Sequence, residues 1–385
     1  MPMSKTTQIA RLQDLTDRTV CPRLVLKVGS SLLVGKDGVR REWLKGFVAE
    51  IAQAKARGQD VIIVSSGAIA LGAARLGLEK GGRASLADAQ AAAAVGQIAL
   101  SGLWAELLGE HGFDAAQMLV TLDGLEERRR YLNVTATLER LLDAGAVPVI
   151  NENDSVATSE IRFGDNDRLA ARVAQAARAS AVLLLSDVDG LFDRDPAKPG
   201  AKLVREVRGV TDEILSMATG ASASGMGSGG MKSKLEAARI AEMAGTSLAI
   251  VNGTYDQPIA RALGSDTGTI FLPRKGSRMK GARQVWLGGR LRLKGTIHVD
   301  AGAAGALRDG KSLLAKGISR VEGSFERGDA IAIADETGTV IAHGLSEYDA
   351  DECRALQGAH SSEHEALLGY PPRSAVVHRD QLVIK

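Results

Sequence analysis

Over roughly its first 270 residues, the chain alternates short apolar runs with longer segments of helical spacing. The runs have the length of buried strands and lie at residues 24–28, 61–64, 117–121, 147–150 and 181–185. Helical spacing recurs at residues 43–57, 84–108, 131–142 and 235–244. Strands that alternate with helices predict an α/β fold with a mainly parallel open sheet. Helices on both faces would make it a three-layer αβα sandwich.

The pattern changes after Leu272. Residues 273–279 are basic and punctuated by glycine and proline, and short β-like runs follow at residues 295–299, 330–334 and 340–342. A small, mostly β C-terminal domain is therefore predicted. The expected organisation is an N-terminal extension at 1–22, an α/β domain at 23–272, a linker at 273–291, the β domain at 292–371 and a tail at 372–385.

Two polar clusters follow the apolar run at residues 147–150. The first is Asn151-Glu152-Asn153-Asp154, and the second is Gly164-Asp165-Asn166-Asp167, directly before a helical pattern. Asn and Asp are also ordinary turn formers and helix caps. In an open α/β sheet, however, ligands bind beyond the carboxyl ends of the strands. Two clusters around one loop favour a site for a small, polar, charged molecule.

Lys27 lies inside the first apolar run, and Gly29-Ser30-Ser31 follows it. A lysine there is costly unless its ammonium meets an anion or reaches water along its alkyl chain. The backbone N–H groups of the Gly-Ser-Ser turn favour a phosphate neighbour. The next strand ends in Ser65-Ser66-Gly67-Ala68, which fits either an ordinary strand–helix turn or a set of small donors beside a ligand.

A glycine-rich run at residues 224–234 leads into the helical pattern at 235–244 and contains Lys232 and Lys234. Glycines, lysines and a helix start together favour an anion site over a plain surface loop. Gly225, Gly227 and Gly230 fit G-x-G-x-x-G, but the preceding residues 213–219 predict a helix instead of the strand that a dinucleotide fold requires. The string His360-Ser361-Ser362-Glu363-His364 fits H-x-x-E-H, which is weak support for zinc.

Composition narrows the classes of function. The formal net charge of +2 over 385 residues gives no reason to expect a polyanionic partner. Cys21 and Cys353 have no metal-site or disulfide spacing, which fits a reducing compartment. The first twenty residues lack the apolar core of a signal peptide, and we find no run of about 18 apolar residues. A cytoplasmic protein without a membrane span is expected.

In combination and in this order, five motifs resemble those of the amino acid kinase family. They are Lys27-Val28-Gly29-Ser30-Ser31, Ser65-Ser66-Gly67-Ala68, Asn151-Glu152-Asn153-Asp154, Gly164-Asp165-Asn166-Asp167 and Gly229-Gly230-Met231-Lys232-Ser233-Lys234. The resemblance covers nearly the whole chain from about Leu24. The C-terminal part, with Lys316-Gly317-Ile318 and Arg327-Gly328-Asp329, looks like a PUA domain.

This resemblance implies ATP-dependent phosphorylation of the side-chain carboxylate of L-glutamate, the first step of proline biosynthesis. It implies that Lys27 and Lys234 stabilise the transferring phosphoryl group while Asp167 orients both lysines. The implied glutamate-binding residues are Ser66, Asp154 and Asn166. The implied ATP-binding residues are Lys27, Ser186, Asp187, Ser228, Gly229, Gly230, Met231, Lys232, Ser233 and Lys234. The pair Ser186-Asp187 departs from the Thr-Asp pair that is familiar in this family, but serine keeps the hydroxyl group.

The chemistry agrees with these residue types. A glutamate carboxylate has a pKa of about 4.3 and is ionised at neutral pH, so the reaction needs no general base. It needs in-line placement and neutralisation of charge by lysines and by Mg²⁺ that bridges the phosphates of ATP. The metal is expected to bind mainly through ATP oxygens and water, and the sequence identifies no protein ligand for it.

The resemblance also implies proline as a feedback inhibitor and a homo-oligomer with an unknown number of subunits. A related kinase for another carboxylate or a carbamate is one alternative, which the cluster at residues 151–154 disfavours. RNA binding by the PUA-like domain is the alternative from another class. Residues 280–385 contain 14 Lys and Arg against 14 Asp and Glu, so the basic footprint of RNA binding is missing and RNA is not an expected partner.

Overall fold

The structure is a computed structural model that describes residues 8–35, 37–156, 165–218, 228–274, 293–360, 362–370 and 375–384. The chain divides into two compact units, Met1–Ser277 and Arg278–Lys385, each with its own core. The α/β fold with a second, mostly β unit is as predicted.

The described strands of unit 1 form a twisted main sheet and one small hairpin. They are β1 (Arg23–Val28), β2 (Val34–Gly35), β3 (Gly38–Val39), β4 (Asp60–Ser65), β5 (Ala115–Val120), β6 (Val147–Glu152), β7 (Ala181–Ser186), β8 (Glu206–Arg208), β9 (Ser247–Asn252) and β10 (Thr269–Leu272). The main sheet has the order β5-β6-β4-β1-β7-β9-β10-β8, and β2 pairs with β3. Within the main sheet neighbouring strands are parallel except β9 and β10.

The helices of unit 1 cover both faces of this sheet. Those described are α1 (Ser30–Leu33), α2 (Arg41–Ala56), α3 (Ala68–Leu76), α4 (Leu86–Gly109), α5 (Leu122–Glu126), α6 (Arg128–Asp143), α7 (Asp165–Ala176), α8 (Asp212–Met217), α9 (Ser228–Met243) and α10 (Pro258–Ser265). Leu24, Leu26 and Val28 point to the face that α2 and α4 cover. Side chains alternate along a strand, so Lys27 points to the opposite face, where α7 lies.

The N-terminal extension packs against unit 1 where the structure describes it. Leu12 and Leu15 lie in a short 3₁₀ helix and are buried in the core of unit 1. The side chain of Gln59 donates hydrogen bonds to the carbonyl oxygens of Leu15, at 2.9 Å, and Cys21, at 2.7 Å. The described part of this segment is therefore a packed element of the unit, held by two buried leucines and by the side-chain amide of Gln59.

Helices α3 and α4 cross with their backbones in contact. A Cβ atom at Gly72 would lie 1.7 Å from the carbonyl oxygen of Ala92, and one at Gly96 would lie 1.8 Å from that of Ala68. Only glycine leaves room for such an approach. This contact explains the alanine-rich sequence of α4, which the sequence analysis interpreted as a helix packed closely on a neighbour.

Helix α4 is also long and apolar enough, by length and composition, to cross a membrane. Sequence inspection missed it because isolated polar residues such as Asp88 and Gln97 interrupt the apolar run. In this structure α4 packs on the sheet through Leu100, Trp104 and Leu108, and the indole N–H of Trp104 donates to Ser65 Oγ at 2.9 Å. The apolar composition of α4 therefore serves its contacts with the core of unit 1.

The described part of unit 2 is a five-stranded sheet with short helices. The elements are β11 (Gly295–Val299), β12 (Ile318–Gly323), β13 (Ala330–Ala334), β14 (Val340–Leu345), β15 (Leu382–Ile384), α11 (Ala301–Arg308), α12 (Ala350–Ala355) and α13 (His364–Leu368). The order is β12-β11-β13-β14-β15, with β11 and β13 parallel. Strand β15 lies in the predicted tail but pairs with β14, and Val376 and Val377 are buried, so this segment belongs to the unit.

Candidate active site

Some of the predicted site residues lie at or just beyond the carboxyl ends of four adjacent strands, and the others lie at the starts of α7 and α9. In the order β6-β4-β1-β7, these strands run parallel, and Lys27 pairs in register with Val64 on one side and Leu184 on the other. The polar stretches after Val28, Val64, Ile150 and Leu185 are thereby brought to the same edge of the sheet. This edge is where open α/β sheets bind ligands.

Asp167 links two lysines that come from different elements. Its Oδ1 lies 2.6 Å from Lys27 Nζ of β1, and its Oδ2 lies 3.0 Å from Lys234 Nζ of α9. Asp167 has 0% exposure, and the lysines have 7% and 8%. One carboxylate therefore holds two buried ammonium groups, and the cluster carries a net charge of +1 when all three are ionised. Such a cluster suits an anion that needs two cations close together.

Burial and pairing act on the pKa of Asp167 in opposite directions. Burial alone would raise it, and burial is the largest single influence. The positive charges and hydrogen bonds of Lys27 and Lys234 together outweigh burial and hold the pKa below its ordinary value of 3.8. Asp167 is therefore ionised at neutral pH and acts as a counter-charge for the lysines. An ionised carboxylate has no proton to donate, so Asp167 is not suited to the role of a general acid.

The glycine-rich run is helical earlier than predicted. We expected the helix to begin at Leu235, but α9 begins at Ser228, so Gly229, Gly230, Met231, Lys232, Ser233 and Lys234 lie in its first two turns. The prediction of a loop reaching Lys234 is thus wrong. Glycine is tolerated in a first turn, where tertiary contacts such as the Lys234–Asp167 pair fix the helix. Residues 219–227 lie outside the described part of the chain.

The side chains in these two turns differ in their surroundings. Ser233 and Lys234 are buried, whereas Lys232 is exposed. The first N–H groups of any helix have no intrahelical acceptor, and the helix dipole favours negative charge there. The start of α9 and the ammonium of Lys234 therefore suit the same kind of ligand, a phosphate.

Ser186 ends β7 and Asp187 follows it. The hydroxyl of Ser186 donates a hydrogen bond to Asp187 Oδ1 at 3.1 Å.

A chain of amides occupies the other side of the site. Asn166 Nδ2 donates to Ser66 Oγ at 2.7 Å, to Asn151 Oδ1 at 3.0 Å and to the Ser65 carbonyl oxygen at 3.2 Å. Asn151 Nδ2 in turn donates to Gln97 Oε1 at 2.8 Å. The structure thus brings together Ser66 and Asn166 from the predicted glutamate-binding set. Asn166 and Asp167 are consecutive, so the amide chain adjoins the lysine cluster.

Asp154 begins a short 3₁₀ turn directly after β6. It lines a cavity of ≈ 320 Å³ between the end of β6, strand β5 and helix α4. Glu152, Asn153 and Ser155 share this lining with Gln97 of the amide chain. Asp154 therefore lies at a cavity that also reaches Gln97, the outer member of the amide chain. The loop residues 157–164, including Gly164 of the second motif, lie outside the described part of the chain.

Three polar residues of the site were missing from the predicted list. Asn151 is 2% exposed and lies between Asn166 and Gln97, although its motif had been noticed. Ser65 contributes its carbonyl oxygen to Asn166 and accepts from Trp104. Gln97 lies in the alanine-rich helix, where nothing in the local sequence distinguishes it from a solvent-facing glutamine.

Within the described residues, no group of three or more His, Cys, Asp or Glu side chains is arranged to hold a metal ion. The H-x-x-E-H string does not assemble in that part of the chain. His364 is buried, His360 is exposed, and the carboxylate of Glu363 accepts from the backbone N–H of His360 at 2.7 Å.

Comparison with known proteins identifies the family of each part of the chain. The model described as "Amino acid kinase family" matches residues 22–252. The chain belongs to the amino acid kinase family. A second model, described as "PUA domain", matches residues 295–368. The fold and family expected from the five motifs are thus confirmed.

Similar amino acid kinases extend over almost the whole chain. A protein of Novosphingobium aromaticivorans named glutamate 5-kinase is 66% identical and covers 98% of this chain and 100% of its own. Proteins with the same name from Sphingopyxis alaskensis and Zymomonas mobilis are 59% and 54% identical over 94% of this chain, and over 98% and 91% of their own. Among solved structures, a carbamate kinase from Giardia lamblia bound to AMP-PNP has 16% identity and a TM-score of 0.47, covering 66% of this chain and 98% of its own.

Proposed function

We propose that this chain transfers the γ-phosphoryl group of ATP to the side-chain carboxylate of L-glutamate, giving L-glutamyl 5-phosphate for proline biosynthesis. The observation that carries the proposal is the buried Lys27–Asp167–Lys234 cluster beside a chain of amides at one edge of the sheet. Relatives named glutamate 5-kinase, similar over nearly the full chain, support the choice of substrate.

The residue types suit a carboxylate nucleophile. Glutamate's side chain is ionised at neutral pH and can attack phosphorus without a base. Catalysis then rests on in-line placement and on positive charge that is already in place where negative charge develops. Lys27 and Lys234 supply that charge from two elements, and Asp167 holds both ammonium groups so that little reorganisation is needed during the reaction.

The start of α9 supports the proposed position of the nucleotide. Its free N–H groups lie in the first turn, from Ser228 to Met231, and Lys234 lies in the second turn. Ser186 and Asp187, at the end of β7, complete the proposed nucleotide-binding set with Lys27, Lys232 and Ser233. We assign Lys232 a weaker role than Lys234, because an exposed ammonium is screened by water.

The amide chain and Asp154 support the proposed position of glutamate. Asp154 is a carboxylate at a cavity, so it can accept hydrogen bonds from the substrate ammonium. Ser66 and Asn166 are hydrogen-bonded to each other, and Asn166 directly precedes Asp167 in the sequence. This arrangement would place the ammonium end of glutamate among amides and its side-chain carboxylate towards the lysines.

Mg²⁺ is proposed to enter with ATP. The buried carboxylate of the candidate site, Asp167, is already paired with two lysines. Within the described residues, no group of three or more His, Cys, Asp or Glu side chains could hold a metal ion. The residues therefore fit a metal that the phosphate oxygens and water coordinate. Bound there, Mg²⁺ neutralises charge on the phosphates during transfer.

Four further points extend the proposal. We propose a homo-oligomeric state and proline as feedback inhibitor, which rest on resemblance to the family, and a cytoplasmic location, which fits the spacing of Cys21 and Cys353. RNA binding by the PUA domain is not part of the proposal. We also propose that residues 23–272 form the catalytic domain and residues 292–371 the PUA domain, joined by residues 273–291. The segments that flank these domains, 1–22 and 372–385, include packed residues of units 1 and 2 respectively.

The test is phosphoryl transfer by the purified full chain. It is incubated with glutamate, ATP and Mg²⁺, and the acyl phosphate is trapped with hydroxylamine as a hydroxamate. We expect glutamate-dependent hydroxamate and equimolar ADP. Carbamate, aspartate and N-acetylglutamate, tested in parallel by ADP release, separate glutamate from related acceptors. Turnover with one of them and none with glutamate would contradict the proposal.

A further inference from the structure

Gln97 is the outer end of the amide chain, and the function proposed above gives it no role. It lies on α4, a helix that contributes none of the predicted site residues. Its Oε1 accepts from Asn151 Nδ2 at 2.8 Å, and its Nε2 donates to Ser101 Oγ at 3.2 Å. Ser101 Oγ donates back to the carbonyl oxygen of Gln97 at 2.8 Å. Both ends of the Gln97 amide are therefore engaged.

Backbone groups show which atom donates and which accepts in the hydrogen bonds between the amides of Asn151 and Gln97. The N–H of Glu152 can only donate, and it donates to Asn151 Oδ1 at 2.9 Å. The atom of Asn151 that faces Gln97 is therefore the nitrogen, and its partner is the oxygen of Gln97. At the Gln97 end, the Ser101 hydroxyl donates its proton to a carbonyl oxygen, so it can accept from Nε2. The amide orientations are thus determined by groups that cannot reverse.

The same logic fixes Asn166. The Ser65 carbonyl oxygen can only accept, so the atom that faces it is Nδ2. An amide nitrogen has two N–H groups, and this one faces three acceptors, namely Ser65, Ser66 and Asn151. Asn166 Oδ1 is buried and has no hydrogen-bond partner among the described residues. Within the amide chain, Asn166 Oδ1 can therefore still accept a hydrogen bond from a ligand.

A buried acceptor without a partner is costly, and a ligand that brings a donor removes the cost. Of the polar groups of glutamate at neutral pH, the ammonium donates and the two carboxylates only accept. We propose that Gln97 is a positioning residue of the glutamate site. Together with the backbone N–H of Glu152 and the carbonyl oxygen of Ser65, it holds Asn151, and through it Asn166, in the position that presents Asn166 Oδ1 to the substrate ammonium. This proposal rests on the proposed function.

The first test is Gln97→Met, which keeps the length of the side chain and removes the acceptor of Asn151. Asn151 then keeps its backbone partner Glu152 but has no acceptor for its Nδ2, so the position of Asn151, and with it that of Asn166, is less well defined. We expect the KM for glutamate to rise about tenfold, the equivalent of one hydrogen bond. We expect kcat and the KM for ATP to stay within about twofold of the wild type. An unchanged KM for glutamate, or an equal loss in kcat and affinity for both substrates, would overturn the proposal.

A second test separates ammonium recognition from pocket shape. Glutarate has the same two carboxylates as glutamate and lacks the ammonium. Measured as a competitive inhibitor, it should bind Gln97→Met and wild type with Ki values within about twofold, since the lost contact is to the ammonium. A Ki that rises as much as the KM for glutamate would mean that Gln97 shapes the cavity, and the proposed role would be wrong.

A double-mutant cycle tests whether Gln97 acts through Asn166. If it does, Gln97→Met adds little to the rise in KM that Asn166→Ala causes alone. Fully additive effects would contradict this route. Ser101→Ala, a milder change at a half-buried position, serves if Gln97→Met does not fold, and it should raise the KM for glutamate about twofold. If it leaves that KM unchanged, the proposal is overturned. Wild-type protein without glutamate-dependent hydroxamate would instead refute the proposed function.

Discussion

The proposed phosphoryl-transfer end of the candidate site holds its groups by charge, whereas the proposed glutamate end holds them by directed hydrogen bonds. Lys27, Asp167 and Lys234 are ionised groups with opposite signs in contact. Asn151, Asn166 and Gln97 are neutral amides linked donor to acceptor. A charge attracts from any direction, but an amide that turns over exchanges a donor for an acceptor. The first end should therefore fail when a charge is removed, and the second when an orientation is lost.

The largest effect is expected from removing the shared counter-charge. Asp167→Asn leaves Lys27 and Lys234 buried without a carboxylate, and breaking a buried ion pair on one side typically costs about 3–5 kcal/mol. We expect a loss of this size in the free energy of unfolding at pH 7, measured by urea denaturation of unit 1. Asp143→Asn, at an exposed carboxylate of the same unit, is the control and should change it by less than about 0.5 kcal/mol.

The pH dependence gives this prediction a sign. The pKa of Asp167 is lowered in the folded chain from 3.8, so its ionised form contributes stability above pH 3.8 that is lost as the pH falls through the folded value. Wild type should therefore lose its advantage over Asp167→Asn in acid. A stability difference that stays constant from pH 7 to pH 3 would mean that Asp167 matters for packing and its charge does not.

Removing one lysine should affect turnover more than substrate affinity. Lys234→Ala deletes a positive charge that is in place before charge develops, and such losses cost about 10²–10³ in kcat. The KM for glutamate should change little, and Lys27→Ala should behave similarly. Steady-state kinetics measures both parameters, with Arg239→Ala, an exposed position on the same helix, as the control. A near-normal kcat for Lys234→Ala would contradict its role, and unchanged kinetics for Lys27→Ala would reduce Lys27 to a structural partner of Asp167.

Asp154→Ala should act on glutamate alone. A charge-assisted hydrogen bond contributes about 1.5–3 kcal/mol, so the KM for glutamate should rise about one to two decades. The KM for ATP should not follow, and Asp143→Ala supplies an exposed carboxylate as control. A change confined to the KM for ATP would mean that Asp154 contacts ATP and that its assignment to glutamate is wrong.

The smallest effect is expected from deleting unit 2. Both ends of the candidate site draw only on residues between Lys27 and Lys234, and unit 1 ends at Ser277. A chain that ends at Gly276 should therefore keep its phosphoryl transfer per folded molecule, with folding checked by circular dichroism and size-exclusion chromatography. Aggregation would indicate that an apolar surface had lost its cover. A soluble, monodisperse but inactive chain would show that unit 2 contributes to catalysis.

The strands that the sequence predicted best are those with continuous apolar residues. Strands β1, β4 and β7 were located to within a residue or two because fully buried parallel strands need apolar side chains on both faces. Strands β8, β9 and β10 were not assigned. Strand β8 has three residues, and only three residues separate the end of α9 from β9, which begins with a serine, so length and local pattern did not distinguish them. The start of α9 was misplaced because glycine was interpreted as loop.

For the site, the sequence identified chemistry better than contacts. Motifs located Lys27, Asp167 and Lys234 separately, but their pairing depends on sheet order and on the register of β1 with its neighbours. Asn166 and Ser66 are joined for the same reason. Gln97 could not be found, because a glutamine in an alanine-rich helix matches a solvent-facing residue. Its partner, Asn151, is more than fifty positions away.

The crossing of α3 and α4 has a consequence for attempts to engineer substrate range. Gly72 and Gly96 bring the two helix backbones into contact, so no side-chain replacement there can change the spacing without displacing a helix. Gln97 follows Gly96 directly, and the cavity that Asp154 lines has α4 as one wall. Mutagenesis that aims to admit a larger phosphoryl-acceptor substrate would therefore gain room only by shortening side chains that line the cavity, such as Ile98 and Leu119. Positions 72 and 96 would have to stay glycine.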